Sequence, residues 1–131
     1  MADIPELLKK GLSSDKQVLS LKAKFIREAG TRILAQQECL SNLRSLDLSK
    51  NEIGDDGVRA IAESPIFSNL RVLNLASNAI TDVGITYLVN SPYLKNLKSL
   101  QLVVNNISEE GEKMLRNSKN LINLTTIKFR V

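Results

Sequence analysis

The sequence repeats itself with a period of 27 residues, and this period constrains the fold more than any other feature. Leucine or another large apolar residue, asparagine and glycine each recur at fixed places in the unit. The recurring sets are Leu46, Leu73, Leu100 and Ile127; Leu48, Leu75, Leu102 and Phe129; Asn51, Asn78 and Asn105; and Gly57, Gly84 and Gly111. Such a unit cannot bury its apolar side chains alone, so we expect successive units to stack into a solenoid.

The period predicts a single domain of stacked units over residues 1–131. Its expected parts are an N-terminal cap (1–15), a degenerate repeat (16–42), three regular repeats (43–69, 70–96 and 97–123) and a final strand (124–131). In the degenerate repeat, Lys24 stands where the later repeats have asparagine. In the cap, Asp3 can begin a short helix with Pro5 in its first turn, and we expect this helix to cover the first strand.

Each unit is expected to begin with a short strand, and the five strands are predicted to start near Val18, Ser45, Val72, Ser99 and Thr126. In the first regular unit, Leu46 and Leu48 flank the polar Asp47, which is typical of a strand with one buried side. Asn51 follows where the chain turns, and its amide can bond backbone groups that the strand leaves free. We therefore predict a structural ladder of Asn51, Asn78 and Asn105.

The second half of each unit is predicted to be a helix. Thr81 and Ser108 are typical N-terminal caps, and Asp82 lies just inside its helix, where the helix dipole favours negative charge. Gly84 and its equivalents are expected to let the helix backbone approach a neighbouring strand or coil closely. Pro92, which follows the predicted helix, cannot continue one.

The units have the form LxxLxLxxNxIxxxGxxxL and contain phrases such as NEIGDDGVRAIAESP and NAITDVGITYLVNSP. They resemble leucine-rich repeats of the ribonuclease inhibitor-like subclass, and the SPxLxNL tail is similar to repeat arrays of bacterial intracellular proteins. The resemblance implies an α/β fold, a right-handed leucine-rich repeat solenoid forming a short horseshoe arc. Its parallel β-sheet would lie on the concave side and its helices on the convex side, with an N-terminal helical cap.

The side chains that alternate with the buried leucines would form the concave face, and these are the candidate protein-binding residues. They are Lys22, Ser45, Asp47, Ser49, Val72, Asn74, Ala76, Ser99, Gln101, Val103, Lys128 and Arg130, with Val18, Ser20 and Thr126 completing the strands. At ordinary strand spacing this patch covers roughly 300 Å², less than the roughly 800 Å² that each partner buries in a standard interface. A partner is therefore expected to touch the loops after the strands as well, at Lys50, Asn51, Ser77 and Val104.

Composition argues against catalysis and against a metal or cofactor. The chain has no histidine and one cysteine, Cys39, so histidine-based catalysis and cysteine-rich metal sites are excluded. No glycine-rich phosphate loop and no nucleophile with a base is visible. Cys39 aligns with Ile66 and Tyr93 and is expected to be half-buried.

The predicted function is a protein–protein interaction module without catalysis, with an unknown protein partner. The ribonuclease inhibitor-like subclass, which these repeats resemble, includes enzyme inhibitors, innate-immune sensors and the activating protein for the GTPase Ran. One alternative is therefore a GTPase-activating or other regulatory protein, and another is a bacterial effector that acts on a host protein. Catalytic turnover of a GTPase would distinguish the first alternative, and a translocation assay the second.

Three further expectations concern partners and location. Arg44, Arg71 and Lys98 recur at the period and could bind an acidic partner, although repetition alone favours solvated side chains. The final strand, 124–131, has a free edge, so a homodimer through it is possible. The net charge of +4 and the scarcity of aromatic residues make nucleic acid an unlikely ligand, and no membrane segment or signal peptide is visible, which favours a cytoplasmic protein.

Overall fold

The computed structural model describes residues 2–131, in which helices and strands alternate along the chain. The helices are α1 (Ile4–Gly11), α2 (Arg27–Leu34), α3 (Gly54–Ala62), α4 (Asp82–Val89) and α5 (Glu109–Arg116). The strands are β1 (Val18–Ser20), β2 (Ser45–Asp47), β3 (Val72–Asn74), β4 (Ser99–Gln101) and β5 (Thr126–Lys128). Short 3₁₀ turns lie at Glu38–Leu40 and Pro65–Asn69. The five predicted strand starts are confirmed.

All five strands form one parallel sheet in the order β1-β2-β3-β4-β5, so the sequence period becomes the register of the sheet. Leu19 pairs with Leu46, Leu46 with Leu73, and Leu73 with Leu100. These leucines are at most 1% exposed, and α2 to α5 pack side by side behind them. Burial of one such side chain contributes about 2 kcal/mol, so the leucine rows supply most of the stacking free energy.

The predicted asparagine ladder is confirmed, and each asparagine bonds to two successive repeats. The Asn78 Oδ1 atom accepts from the backbone N–H groups of Asn51 (3.0 Å) and Ile53 (3.3 Å) in the repeat before it. Its Nδ2 atom donates to the carbonyls of Leu48 and Ala76. Asn51 and Asn105 make the same pattern of bonds one repeat earlier and one later. The side chains thus replace backbone partners at a point where the chain leaves the sheet.

A second ladder, which the sequence analysis missed, joins the N-termini of the helices. The Asp55 carboxylate, in the first turn of α3, accepts from the N–H of Thr81 (2.8 Å), its Oγ1 (2.6 Å) and the N–H of Gly84 (3.0 Å) in the next repeat. Asp82 accepts from the N–H of Ser108 (2.9 Å) and from its hydroxyl. Thr81 and Ser108 are also the predicted helix caps.

This ladder corrects the reason expected for the helical glycines. A Cβ atom on Gly84 would lie 2.6 Å from the Asp55 Oδ1 atom and 2.8 Å from the Cγ2 atom of Ile80. The glycine therefore makes room for a carboxylate of the preceding repeat and for a side chain of its own turn, rather than for a strand or coil.

A third set of bonds ties the segments between helix and strand. The Ser64 and Ser91 hydroxyls donate to the carbonyls of Ala35 and Ala62, each at 2.6 Å. In the tail of the unit, Asn96 donates to the carbonyl of Ser68, and Asn69 and Asn123 do the same in their own repeats. Neighbouring repeats are therefore hydrogen-bonded at the sheet, at both ends of the helices and in the returning segment.

The N-terminal helix behaves as expected for a cap. The Asp3 carboxylate accepts from the N–H of Glu6 (3.2 Å) at the start of α1, and Ile4 and Leu8 are buried against the first repeat. Leu12 then forms an antiparallel bridge with Leu19 of β1. The first strand is thus paired on both sides.

Replacement of Asn78 by alanine is expected to lower the free energy of unfolding by about 3 kcal/mol, because two buried N–H donors lose their acceptor. Urea denaturation followed by circular dichroism measures the change. Asn106→Ala, at an exposed position in the equivalent turn of the next repeat, is the control and should change stability by less than about 0.5 kcal/mol. Equal losses in the two variants would contradict the role of the ladder.

Stability should depend on the ionisation of Asp82. Hydrogen bonds from the Ser108 side chain and backbone lower the pKa of Asp82 in the folded protein. The stabilisation is therefore fully present above the unfolded-state pKa of about 3.9 and is lost as the pH falls through the lower folded-state value. Wild type should exceed Asp82→Asn in stability at neutral pH, and the difference should shrink in acid. Asp56→Asn, in an exposed first-turn position of α3, provides the comparison, and a difference independent of pH would refute the linkage.

Candidate functional site

Outward side chains of the five strands lie in register and form a continuous surface, which we call the sheet face. Its first row is Val18, Ser45, Val72, Ser99 and Thr126, and its second row is Ser20, Asp47, Asn74, Gln101 and Lys128. Every one of these residues is exposed or half-buried. The alternation predicted for the strands thus places them side by side, as expected for the candidate binding residues.

The middle of the second row also has a structural role that the sequence analysis missed. Side-chain oxygens of Asp47, Asn74 and Gln101 accept from the backbone N–H two residues later, at 2.9, 3.1 and 3.4 Å. These side chains therefore close the turn after each strand as well as lining the face. A short polar side chain before a turn is the signal that could have indicated this.

The structure corrects the placement of Ser49 in the binding surface. Ser49 is only 4% exposed, and its hydroxyl donates to the Asp47 Oδ1 atom at 2.7 Å. It supports Asp47 and presents almost no surface to a partner. Ala76 and Val103, its counterparts in the next repeats, are half-buried, and Lys22 is exposed.

Arg130 is also placed differently from the prediction. Its guanidinium donates to both carboxylate oxygens of Glu112 on α5, at 2.9 and 3.0 Å, which raises the pKa of Arg130 above its ordinary value. Glu112 is 8% exposed and occupies the position of the buried Val58 and Ile85. A buried carboxylate requires such a partner. The Arg130 side chain is therefore ion-paired with α5 and does not contribute to the sheet face.

The loops after the strands contain an unusual backbone conformation. Lys50, Ser77 and Val104 occupy the same place in successive repeats, and all have φ between 56° and 58°. This left-handed region favours glycine and asparagine and is strained for a β-branched residue such as valine. Val104 nevertheless stands there with its side chain 67% exposed. Neither burial nor hydrogen bonding within residues 2–131 explains the choice of valine.

No group of histidine, cysteine, aspartate or glutamate among the described residues could hold a metal ion. A hydrogen bond from the Ser13 hydroxyl lowers the pKa of Asp15, and a hydrogen bond to Glu63, at the C-cap of the same helix, raises the pKa of Arg59.

Cys39 is exposed, which corrects the expected half-buried position. Within residues 2–131, no helix is both long enough and apolar enough to cross a membrane.

Comparison with known proteins supports the same fold. A family model described as "Leucine Rich repeat" matches residues 39–62 and 68–89. Among solved structures, the chain is similar to leiomodin-1 actin-binding site 2, with a TM-score of 0.73 and 16% sequence identity over 98% of this chain and 77% of that one. No curated protein matches the sequence significantly.

The repeat match, the structural likeness and the parallel sheet identify the fold as an α/β leucine-rich repeat solenoid. This confirms the predicted fold class. At 16% identity the likeness concerns the fold alone. Assignment to the ribonuclease inhibitor-like subclass stays a prediction.

Val104→Asn should raise the free energy of unfolding by about 1 kcal/mol, since asparagine tolerates the left-handed conformation that valine resists. Chemical denaturation measures the gain. Val72→Asn, on the exposed side of β3, is the control and should show no gain, because the strand conformation suits valine. A loss of stability in Val104→Asn would show that valine contributes to the fold and not only to the surface.

Proposed function

We propose that this chain is a protein-interaction module that binds its partner through the sheet face and the loops after the strands. The observation that carries the proposal is the register of the outward side chains. They form rows across five strands whose backbone groups are bonded between repeats, so the surface is displayed on a rigid support. Rigid display lowers the ordering cost of binding.

The loop containing Val104 supports this proposal. An exposed apolar side chain in a strained conformation costs the isolated protein about 1 kcal/mol or more, and such strain concentrates at functional sites. A partner that covers Val104 would remove apolar surface from water and offset that cost. The contact would extend the binding area beyond the small sheet face, as its size requires.

The structural relative lends general support. The name of that protein assigns it to an actin-binding site, so a solenoid of this type serves protein recognition in at least one other chain. Purified actin is accordingly a reasonable first partner to test, although only the fold is shared.

We infer that the module acts without catalysis. The sheet face consists of serine, threonine, valine, amide and charged side chains, with no acid–base pair poised on a nucleophile. A regulatory role on a GTPase, or on a host protein as a bacterial effector, stays an alternative, and catalytic turnover of a GTPase would separate the first of these from the main proposal. A homodimer through the free edge of β5 also stays a prediction, which light scattering at increasing concentration would test.

A double variant, Ser45→Tyr with Ser99→Tyr, should abolish partner capture. These serines have no side-chain hydrogen bonds in the structure, so bulky replacements block the face sterically without loss of a turn contact. Capture from lysate, with mass spectrometry, compares this variant with the wild type. The matched control is Asn90→Tyr with Asn117→Tyr, at exposed helix C-caps on the opposite side.

The expected result is a set of proteins captured by the wild type and the control but lost from the sheet-face variant. Circular dichroism should show that all three proteins are folded. Equal capture by all three would mean that the sheet face is not the binding surface.

A further inference from the structure

Three basic residues form a row beside the sheet face, at the edge where β2, β3 and β4 begin. We call Arg44, Arg71 and Lys98 the basic row. The Arg44 carbonyl accepts from the N–H of Arg71 (2.8 Å), and the Arg71 carbonyl accepts from the N–H of Lys98 (2.8 Å). The three residues therefore occupy equivalent places on neighbouring strands, which lie about 4.8 Å apart. Their backbone is held firmly while their side chains are exposed.

The basic row lacks acidic partners, unlike most basic residues of the helices. In the described part of the chain, ion pairs involve Lys10, Arg27, Arg32, Arg59, Lys113 and Arg130. Each of these six pairs has at least one member within α1, α2, α3 or α5, and four of them join residues of one helix or its C-cap. No residue of the basic row takes part in an ion pair. Charge on the helical side is thus largely compensated, and charge along the sheet is not.

Acidic groups near the row are already engaged. Asp47, on the second row of the sheet face, accepts from both the N–H and the hydroxyl of Ser49. Asp15 accepts from the Ser13 hydroxyl and the N–H of Gln17, and its lowered pKa reflects these bonds first and the charge of Arg44 only last. Three like charges in adjacent register repel one another, and a ligand of opposite charge would relieve this repulsion.

The spacing of the row selects among acidic ligands. Carboxylates on one side of an α-helix, at positions i, i+4 and i+7, recur at about 5–6 Å, close to the strand spacing of about 4.8 Å. The adjoining row of the sheet face is small or mildly apolar at Ser45, Val72 and Ser99, so a helix could approach the sheet closely. We propose that the basic row binds an acidic helical segment of the protein partner, an inference that rests on the proposed function.

The same surface is less suited to single-stranded nucleic acid. Proteins that bind single strands combine positive charge with aromatic side chains on which bases stack. The two rows of the sheet face and the basic row contain no aromatic residue among their described members. The surface therefore offers charge and close approach without a stacking platform.

The test uses the full chain and a defined probe. The probe is an alanine-based helical peptide with glutamates at i, i+4, i+7 and i+11 on one side; a peptide of the same composition with its glutamates spread around the helix is the comparison. Titration of isotopically labelled protein at low ionic strength is followed by NMR. The first peptide should give saturable shifts around Arg44, Arg71 and Lys98, and its affinity should fall as salt is added.

Two charge-matched variants localise the effect. Arg44→Gln, Arg71→Gln, Lys98→Gln should weaken peptide binding about tenfold, which corresponds to three modest exposed ion contacts. Lys9→Gln, Lys113→Gln, Lys119→Gln removes the same charge from exposed positions outside the sheet and should leave the affinity nearly unchanged. The row variant should remain folded, because its replacements lie at exposed positions and remove repulsion.

Three outcomes would overturn the proposal. These are equal binding by the two triple variants, equal affinity for the two peptides, and tighter binding of oligodeoxythymidylate than of the acidic helix at the same row. Capture experiments separate this failure from that of the proposed function. If the tyrosine variant of the sheet face loses its partner and the glutamine variant of the basic row retains it, the module binds protein but not through acidic charge.

Discussion

The structure depends most on the asparagine side chains at the turns after β2, β3 and β4, of which Asn51 and Asn78 are buried. One amide group provides an acceptor for two N–H groups of the preceding repeat and donors for carbonyls of both repeats. Because it is buried, its bonds are not exchanged with water, and a misaligned neighbour would leave several polar groups without partners. The asparagines therefore set the alignment of adjacent repeats, and the leucine rows supply most of the free energy once that alignment exists.

The other ladders extend this alignment around the repeat. Asp55 and Asp82 join helix N-termini, and Ser64 and Ser91 join the segments after the helices. The side-chain hydrogen bonds between repeats come from residues outside the two rows of the sheet face, so the side chains of those rows take no part in aligning the repeats. This division of roles lets the surface vary in sequence without loss of the fold, and it explains why the fold says little about the partner.

Much of the fold could be predicted from sequence because residues one period apart lie next to each other on neighbouring strands. The five strand starts and the asparagine ladder follow from residues that recur with every unit. Deviations arose where a residue departs from the period or where a contact is not local. Arg130 pairs with Glu112, which replaces an apolar residue found in the earlier repeats, and alternation along a strand carries no information on that pair.

Individual surface positions were harder to predict for related reasons. Ser49 is buried and donates to the Asp47 carboxylate, whereas its periodic counterparts keep more exposed surface, so strand alternation alone does not indicate its burial. The conformation of Val104 contradicts the backbone preference of valine, so no local rule indicates it. The exposure of Cys39 differs from that of its periodic counterparts, and the structure offers no reason for this difference.

The asparagine ladder also has a direction. Each Oδ1 atom serves N–H groups of the repeat before it: Asn105 serves Asn78 and Ile80, and Asn51 serves Lys24 and Ile26. At this turn a repeat is therefore completed by its successor, whereas at the helix N-terminus Thr81 and Gly84 are completed by Asp55 of the repeat before. Lys24 leaves no N–H group of a preceding turn without an acceptor, because the segment before the first repeat is α1 rather than another such turn. The solenoid has a polarity, and its two ends tolerate change unequally.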